Sequence, residues 1–598
     1  MCQSNLHRRN YVLDIRLSRW YVYTDMATIQ KRTSRGHTYW AIVESRRVNG
    51  KPRPIVLEYL GSAETLLQRL TEGIPKKVRT YSHGTVAVML DVARDLDVVE
   101  AINRHVREPR IRDGLTVGGS LFLAALGRIC HPTSKRNWYE GWARHTSLPL
   151  ILRMSLNKID SQHFWDQMDQ VPEEAIPLIE QELVASLCEK ENVTLDTLLY
   201  DTTNFFSYID TTNGRSTLAQ RGKNKQKRMD LRQFGMLLLV SRQDHFPLFH
   251  ALYQGNQQDR TVFKEAFPAL VERLKTLCGS LEDLTVVFDQ GNNSKEILHA
   301  VDRQMHFVGA LSPSQHKMLL ERANAAMEPV TVGDRELTCF REPVGIWGMD
   351  LTAVVYVSEK LRKGQIRGIE HGLAKVFEKL AELASAIKTT TNRGRKRTRQ
   401  GLEKKIKSLV SSYDLETIVP WKLTELHGDA FALDFWVDEE KLRWFVEKWC
   451  GRRILITNRH DWSAAEIIRA YWGQADVEYA FKNLKNPFHM AFRPQYHWTD
   501  QKVRVHGLIC FIAFLLTMVT CKRAREKAGF TGTPHRLIER LSAIRLATFV
   551  ESPAIRSRGH YKTTYRIEEA EPDIEELAKG MGVTEHSTKT SIPFSVYI

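Results

Sequence analysis

Apolar runs of strand length alternate with amphipathic stretches along the middle of the chain, between Thr194 and Ser312. Three apolar runs come first, and a helical period, a fourth run, a second helical period and a fifth run follow. Short apolar runs bounded by turn residues are typical of buried strands, whereas apolar residues three or four positions apart indicate helices. The pattern therefore predicts three antiparallel strands followed by two helix–strand units around one sheet.

This order of elements fits a ribonuclease-H-like α/β core better than a doubly wound sheet, in which helices would separate the first strands. A long segment, residues 313–450, then separates these elements from the next helix that carries a candidate catalytic residue. We predict that this segment is an insertion domain. The first half of the core would span residues 191–312, and the second half residues 451–530.

The regions outside the core are predicted from their local patterns. Two β-rich runs about an Asn-Gly turn predict a β-hairpin region at residues 26–80. Helical periodicity over residues 81–190 predicts a mainly helical N-terminal domain. Residues 1–25 are interpreted as a non-native leader, because Met26 opens a cleaner sequence. Residues 531–598 form a C-terminal region to which we assign no chemistry.

A polar stripe marks the stretch from Asp461 to Asn486, which is predicted to be one continuous helix. Ser463 and Glu466 at its start have the spacing of a capping box. At ~100° per residue, four polar residues share about 60° of arc: Tyr471, Gln474, Glu478 and Lys485. A packed core does not need such a stripe, so we predict a functional face.

Three carboxylates on separate elements are the candidate catalytic and metal-binding residues: Asp201, Asp289 and Glu478. Each Asp is predicted to stand at the C-terminal end of an apolar strand. Such a set could hold two Mg²⁺ (or Mn²⁺) ions about 3.5–4 Å apart, as phosphodiester cleavage requires. A single Asp could instead form a turn or a helix cap, and Asp476 is a rival to Glu478 on another face of the helix.

The charge of the chain points to a polyanionic partner. Lys and Arg number 86 against 70 Asp and Glu, which gives a formal net charge of +16. Two basic runs, at residues 221–228 and 388–407, are either phosphate-contacting loops or solvated, flexible segments. The candidate DNA contacts in these runs are Arg221, Lys223, Lys225, Arg395, Lys396 and Arg397.

The cysteine pattern and the length of the apolar runs indicate the cellular compartment of the protein. The eight cysteines are scattered without a C-x-x-C pair, which favours reduced thiols and argues against a zinc module. The longest apolar run, from Leu508 to Cys521, is shorter than the ~20 residues of a membrane span. We interpret it as a buried helix, and we expect a cytoplasmic, nucleoid-associated protein that has no membrane partner.

Taken together, several motifs resemble a DDE transposase of a bacterial or archaeal insertion sequence. The motifs are Y-D-T-T-N-F-F at 200–206, G-N-Q-Q-D at 255–259, V-F-D-Q-G at 287–291, the polar helix and R-P-Q-Y-H-W-T-D at 493–500. The resemblance is to the branch whose catalytic helix carries Y-x2-R-x3-E-x6-K. It implies that Asp201, Asp289 and Glu478 bind the metal ions, and that Tyr471 and Lys485 contact phosphates at the transposon end.

One position departs from the branch signature, because Gln474 stands where the signature has Arg. An amide cannot reproduce the bidentate, charge-assisted contact that a guanidinium makes with phosphate. Arg469 is a nearby substitute. Gln474, Arg469 and Lys482 complete the candidate DNA contacts on this helix.

The resemblance implies cut-and-paste DNA transposition. Metal-activated water would cut the element end, and the freed 3′-hydroxyl would attack target DNA without a covalent protein intermediate; the branch also implies a hairpin at the cleaved end. The implied partners are double-stranded DNA, as terminal inverted repeats and target, and a second copy of the chain in a homodimer. Two alternatives stay open: a host structure-specific nuclease, and a non-catalytic DNA-binding protein derived from a transposase.

Overall fold

The computed structural model describes residues 27–48, 51–71, 77–106, 111–224, 226–292, 294–390, 396–412, 415–551 and 562–584. The predicted leader, Lys225 and Arg395 lie outside the described residues. The chain divides into two compact units. One contains residues 1–80 and 547–566, and the other contains residues 81–546 and 567–598.

Strands and helices are numbered in chain order. The strands are β1 (Thr28–Ser34), β2 (His37–Val48), β3 (Lys51–Gly61), β4 (Lys77–Ser82), β5 (Thr197–Ser207), β6 (Arg232–Ser241), β7 (Pro247–Gln254), β8 (Thr285–Phe288), β9 (His306–Leu311), β10 (Glu328–Val332), β11 (Arg335–Ile346), β12 (Met349–Val357), β13 (Trp421–Glu425), β14 (Phe431–Phe435), β15 (Arg452–Thr457), β16 (Arg545–Glu551) and β17 (Lys562–Ile567). The helices are α1 (Ala63–Thr71), α2 (Gly84–Asp95), α3 (Val98–Arg104), α4 (Val117–Cys130), α5 (Trp138–Gly141), α6 (Leu148–Ile151), α7 (Ser161–Met168), α8 (Ala175–Glu191), α9 (Asp259–Cys278), α10 (Lys295–Asp302), α11 (Lys317–Ala325), α12 (Glu359–Ile387), α13 (Arg399–Ser411), α14 (Glu439–Lys448), α15 (Ala464–Trp472), α16 (Gln474–Lys485), α17 (Asp500–Ala528), α18 (Pro534–Ala543) and α19 (Pro572–Gly580).

The smaller unit is built mainly from β-strands. β1, β2 and β3 form an antiparallel sheet, so the predicted hairpin is present and gains one strand. A second three-stranded sheet has the order β17-β16-β4. The described N-terminus is therefore β-rich, and the prediction of a mainly helical N-terminal domain is not confirmed.

A nine-stranded mixed sheet dominates the larger unit, with the order β10-β11-β12-β15-β9-β8-β5-β6-β7. β5, β6 and β7 pair antiparallel, while β8 and β9 run parallel to β5. This is the order of elements that the hydrophobic pattern predicts. One boundary is wrong, because the strand predicted to stop at Asp201 continues to Ser207, paired with β6 along that length.

Helix α17 forms the apolar centre of the larger unit. It packs against α2, α4, α7, α8 and β7, so the helices of residues 84–191 share one core with the sheet. Within the described residues, it is the one helix long and apolar enough to cross a membrane, and 94% of its most apolar window is buried inside the protein. This confirms the interpretation of Leu508–Cys521 as part of a buried helix.

Residues 313–450 have two structural roles. Strands β10, β11 and β12 extend the central sheet beyond β15. Helices α12 and α13 instead form a second, smaller apolar core together with β13 and β14, in which Val376, Ile406 and Leu433 are buried.

A buried polar network joins the helices to the sheet. Glu180 on α8, His250 on β7 and Arg273 on α9 are all at least nine-tenths buried. The Glu180 carboxylate accepts hydrogen bonds from the His250 backbone N–H at 3.1 Å and from Arg273 at 3.0 Å. It also contacts His250 Nδ1. One buried carboxylate therefore connects α8, β7 and α9.

Glu180→Ala should lower the free energy of unfolding by about 3–5 kcal/mol, because it leaves the Arg273 charge buried without a partner. Glu182→Ala is the matched control on the same helix, since Glu182 pairs with Arg104 at the surface. That change should cost about 0–1 kcal/mol. Chemical denaturation of both variants measures the difference, and equal losses would contradict the structural importance of the buried network.

Candidate active site

Two aspartates lie at the same level on neighbouring parallel strands. Tyr200 in β5 pairs with Phe288 in β8, and the next residues are Asp201 and Asp289. Adjacent strands are about 4.8 Å apart, which brings the two residues close together at the C-terminal end of β8. Their placement on adjacent strands, predicted from the sequence, is confirmed.

The predicted continuous helix from Asp461 to Asn486 is in fact two helices, α15 and α16, separated at Gly473. The capping box of Ser463 and Glu466 is present at the start of α15. A Cβ on Gly473 would lie 2.8 Å from Leu199 Cδ2, so a side chain there would clash with β5. Glycine allows this close approach, and its low helix propensity favours the break.

Gln474, the first residue of α16, ties the helix to both aspartate-bearing strands. Its Nε2 donates to the backbone oxygen of Tyr200 at 3.3 Å and to that of Val287 at 2.7 Å. These oxygens lie just before Asp201 and Asp289 in the chain. The Gln474 amide is half-buried and faces the sheet. The contact with the two strands requires an N–H donor on a side chain of this length, and it does not require a cation that binds phosphate.

Tyr471 holds Asp289 from the end of α15. Its hydroxyl donates to Asp289 Oδ1 at 2.9 Å and accepts a hydrogen bond from Arg453 at 3.1 Å. Burial, together with the Asp289 charge, raises the pKa of the Tyr471 phenol, so the group stays protonated and donates. Sequence reasoning missed Arg453, whose only signal was its place at the start of the apolar strand β15.

The remaining residues of the stripe lie along α16, which packs on β5. Glu478 follows Gln474 by four residues, so it lies about one turn further along the same face, and it is exposed. The Lys485 ammonium contacts Thr203 Oγ1 and lies 5.4 Å from the centre of the Phe205 ring. Lys482 and Arg469 are exposed, and the side chain of the rival Asp476 is outside the described structure.

Asp259 is a carboxylate at the site that sequence reasoning did not assign a role. Thr202 Oγ1 donates to Asp259 Oδ1 at 3.0 Å. A Cβ on Gly291, two residues after Asp289, would lie 3.8 Å from Asp259 Oδ2. Asp259 therefore lies between the chain segments that carry the two predicted aspartates, and its signal was its place at the end of the G-N-Q-Q-D motif.

The basic candidates are placed differently from one another. Arg221 and Lys223 are exposed on the loop between β5 and β6. Lys396 is exposed before α13, whereas Arg397 donates to the Thr389 backbone oxygen at 2.7 Å. The structure thus leaves Arg221, Lys223 and Lys396 open to solvent.

Gln474→Glu should lower cleavage sharply, because the carboxylate cannot donate to the strand oxygens and α16 loses its alignment with β5 and β8. Two unpaired carbonyls should also reduce stability by about 1–3 kcal/mol each. Gln501→Glu is the matched control, since Gln501 Nε2 makes the same double donation, to Met168 and Val171.

Thermal melting and a DNA cleavage assay separate the two effects. Both variants should melt at lower temperature than the wild-type protein. Only Gln474→Glu should lose much more cleavage activity than the fall in its folded fraction explains. Equal activity in the two variants would remove Gln474 from the site.

Two protein-family models match this chain. Residues 27–81 match the N-terminal domain of IS1634 family transposases, and residues 208–516 match the transposase DDE domain. Asp289 and Glu478 lie inside the second match, and Asp201 precedes it. No curated protein matches the sequence.

The cryo-EM structure of a piggyBac transposase synaptic complex with hairpin DNA was also found in the comparison with solved structures. It has a TM-score of 0.35 and 9% sequence identity, over 79% of this chain and 80% of that chain. The match to the transposase DDE domain covers more than half of the 598 residues. The chain therefore belongs to the DDE transposases of insertion sequences.

Proposed function

We propose that this transposase cuts DNA at the ends of its element and joins the freed ends to target DNA, with Asp201, Asp289 and Glu478 as its catalytic triad. The observation that carries the proposal is the contact of Gln474 with both β5 and β8. It aligns the helix of Glu478 with the two strands of the aspartates. No observation favours a host nuclease or a non-catalytic DNA-binding protein.

We further propose that β7, β6, β5, β8 and β9 are the ribonuclease-H-like core of the enzyme. Three antiparallel strands followed by two parallel ones support this assignment. Residues 313–450 would be an insertion whose first strands join the core sheet and whose remainder has its own apolar core.

Transposases of this family generally depend on divalent metal ions. We propose two Mg²⁺ or Mn²⁺ ions, because the triad offers only oxygen donors, which these ions prefer. In the described part of the chain, no three His, Cys, Asp or Glu side chains converge closely enough to hold an ion. Mg²⁺ fits such an open set, since it usually keeps water and substrate phosphates as ligands.

The protein fixes how the aspartates would face those ions. Asp289 Oδ1 accepts hydrogen bonds from Tyr471 and from the Gln290 backbone N–H at 2.8 Å, so Asp289 would hold an ion with its carboxylate oriented by these two donors. Asp201 Oδ1 accepts a hydrogen bond from the Thr202 backbone N–H at 2.8 Å. When bound, the metal ions would activate the attacking hydroxyl and stabilise the leaving oxygen.

DNA binding would use charges on both sides of the triad. We propose phosphate contacts from Lys485, Lys482 and Arg469 near Glu478, and from Arg221 and Lys223 on the β5–β6 loop. Pairing of two element ends would require a homodimer. The proposed setting is the cytoplasm, in association with the nucleoid.

Glu478→Gln should abolish strand cleavage and leave binding of element-end DNA within about threefold, because the change removes one metal-facing charge at an exposed position. Glu272→Gln, an exposed substitution on α9, should leave both properties unchanged. Gel analysis of nicked product and a binding titration measure the two effects. Cleavage by Glu478→Gln at the wild-type rate would refute the triad.

The assembly that cuts should contain two chains and two element ends. Sedimentation of the catalytically silent Glu478→Gln variant with a short end duplex should therefore give a complex of that composition. A complex of one chain and one end, isolated under conditions in which the wild-type protein cuts, would contradict the homodimer.

A further inference from the structure

Exposed aromatic and basic residues meet at the end of β5 farthest from β8. Tyr208 directly follows β5 and is 74% exposed, while Tyr496 and Trp498, between α16 and α17, are 60% and 61% exposed. The loop between β5 and β6 adds exposed cations: Arg215, Arg221, Lys223, Lys227 and Arg228. We call these eight residues the aromatic–basic platform.

The exposure of Tyr496 and Trp498 does not come from a loosely held segment. Arg128, which is 5% exposed, donates to the backbone oxygens of Ala491 at 3.4 Å and Pro494 at 3.0 Å. Gln495 Nε2 donates to the backbone oxygen of His497 at 3.0 Å. The backbone is fixed on both sides of the rings, so their exposure is built into the fold.

Asp500, the first residue of α17, joins the basic loop to this aromatic segment. Its carboxylate accepts hydrogen bonds from Ser216 Oγ at 2.7 Å and from Thr217 N and Oγ1 at 2.9 and 2.6 Å. Asn213 Nδ2 also donates to the Trp498 backbone oxygen at 3.3 Å. Aromatic and basic residues therefore belong to one surface.

The chemistry of the platform fits the backbone of duplex DNA. Within the described part of the loop, five exposed cations are opposed by two acids, Asp210 and Asp230, and Asp230 pairs with Arg228. Tyrosine hydroxyls and the indole N–H donate to phosphate oxygens, and their rings can pack on deoxyribose. A protein partner would not require this excess of cations.

The length of β5 gives the distance from Asp201 to the near end of the platform, at Tyr208. Ser207, the residue before Tyr208, follows Asp201 by six positions along β5, which corresponds to ~20 Å at ~3.3 Å per residue. The rise of duplex DNA is ~3.4 Å per base pair, so this distance equals about six base pairs. We propose that the platform binds duplex DNA about six base pairs from the phosphodiester that is cut; this rests on the proposed function, which places the cut at Asp201.

A duplex-length series tests the platform. The double variant Tyr496→Ala/Trp498→Ala should bind end duplexes about tenfold more weakly when they extend about 12 base pairs past the cut on both sides. It should match the wild-type protein when the duplex is trimmed, on the platform side, to about 3 base pairs past the cut. Trimming the duplex first on one side of the cut and then on the other shows which side contacts the platform.

Two further variants sharpen the result. Phe488→Ala is the matched control, since Phe488 is similarly exposed on the same segment and its ring lies 6.0 Å from the ring of His535 on α18. It should bind both duplexes normally. Arg221→Ala/Lys223→Ala should lower the slope of log K against log salt by about two on the long duplex alone.

Each contrary outcome has a distinct meaning. Equal losses on short and long duplexes, or losses confined to single-stranded DNA, would overturn the platform. The cut is mapped from wild-type products, so normal cleavage by Glu478→Gln would refute the triad while the length series still reports on the platform. Melting temperatures equal to that of the wild-type protein exclude misfolding as the cause.

Discussion

The geometry of the candidate site depends on the two hydrogen bonds of the Gln474 amide. A helix that packs on a sheet by apolar contacts alone can slide, whereas two donated hydrogen bonds of fixed length set its position. Because Gln474 reaches β5 and β8 at once, it fixes Glu478 relative to both aspartates. Gly473 makes this possible, since a Cβ there would collide with Leu199 and lift the helix from the strands.

Supporting contacts surround this constraint. Tyr471 and Arg453 orient Asp289 through one phenol, and Thr202 connects the Asp201 strand to Asp259 at the start of α9. Burial, together with the Asp289 charge, raises the pKa of the Tyr471 phenol, which favours its protonated, donating form. Asp289 is thus held by a side chain from another element, and the strand of Asp201 is tied to α9 next to it.

Burial of α17 explains why the helices of residues 84–191 and the central sheet share one core. The apolar middle of α17, residues 505–521, is buried throughout and must be covered on all sides, and the sheet can cover only one. The helices of residues 84–191 cover the rest, which places them in the core of the enzyme. Periodicity predicts that such helices exist, but it cannot say which apolar surface they will bury.

The family and the order of strands and helices in the core were predictable from the sequence, because local hydrophobic period and motif spacing are properties of the chain itself. The triad of Asp201, Asp289 and Glu478 stays a prediction. The extension of β5 past Asp201 was not predictable, since it depends on pairing with β6. The hydrogen bonds of Gln474 to β5 and β8 were not predictable either, because the sequence shows only that Gln474 stands where the branch signature has arginine. Asp259 and Arg453 joined the site through contacts between residues far apart in the chain, and only tertiary packing decides such contacts.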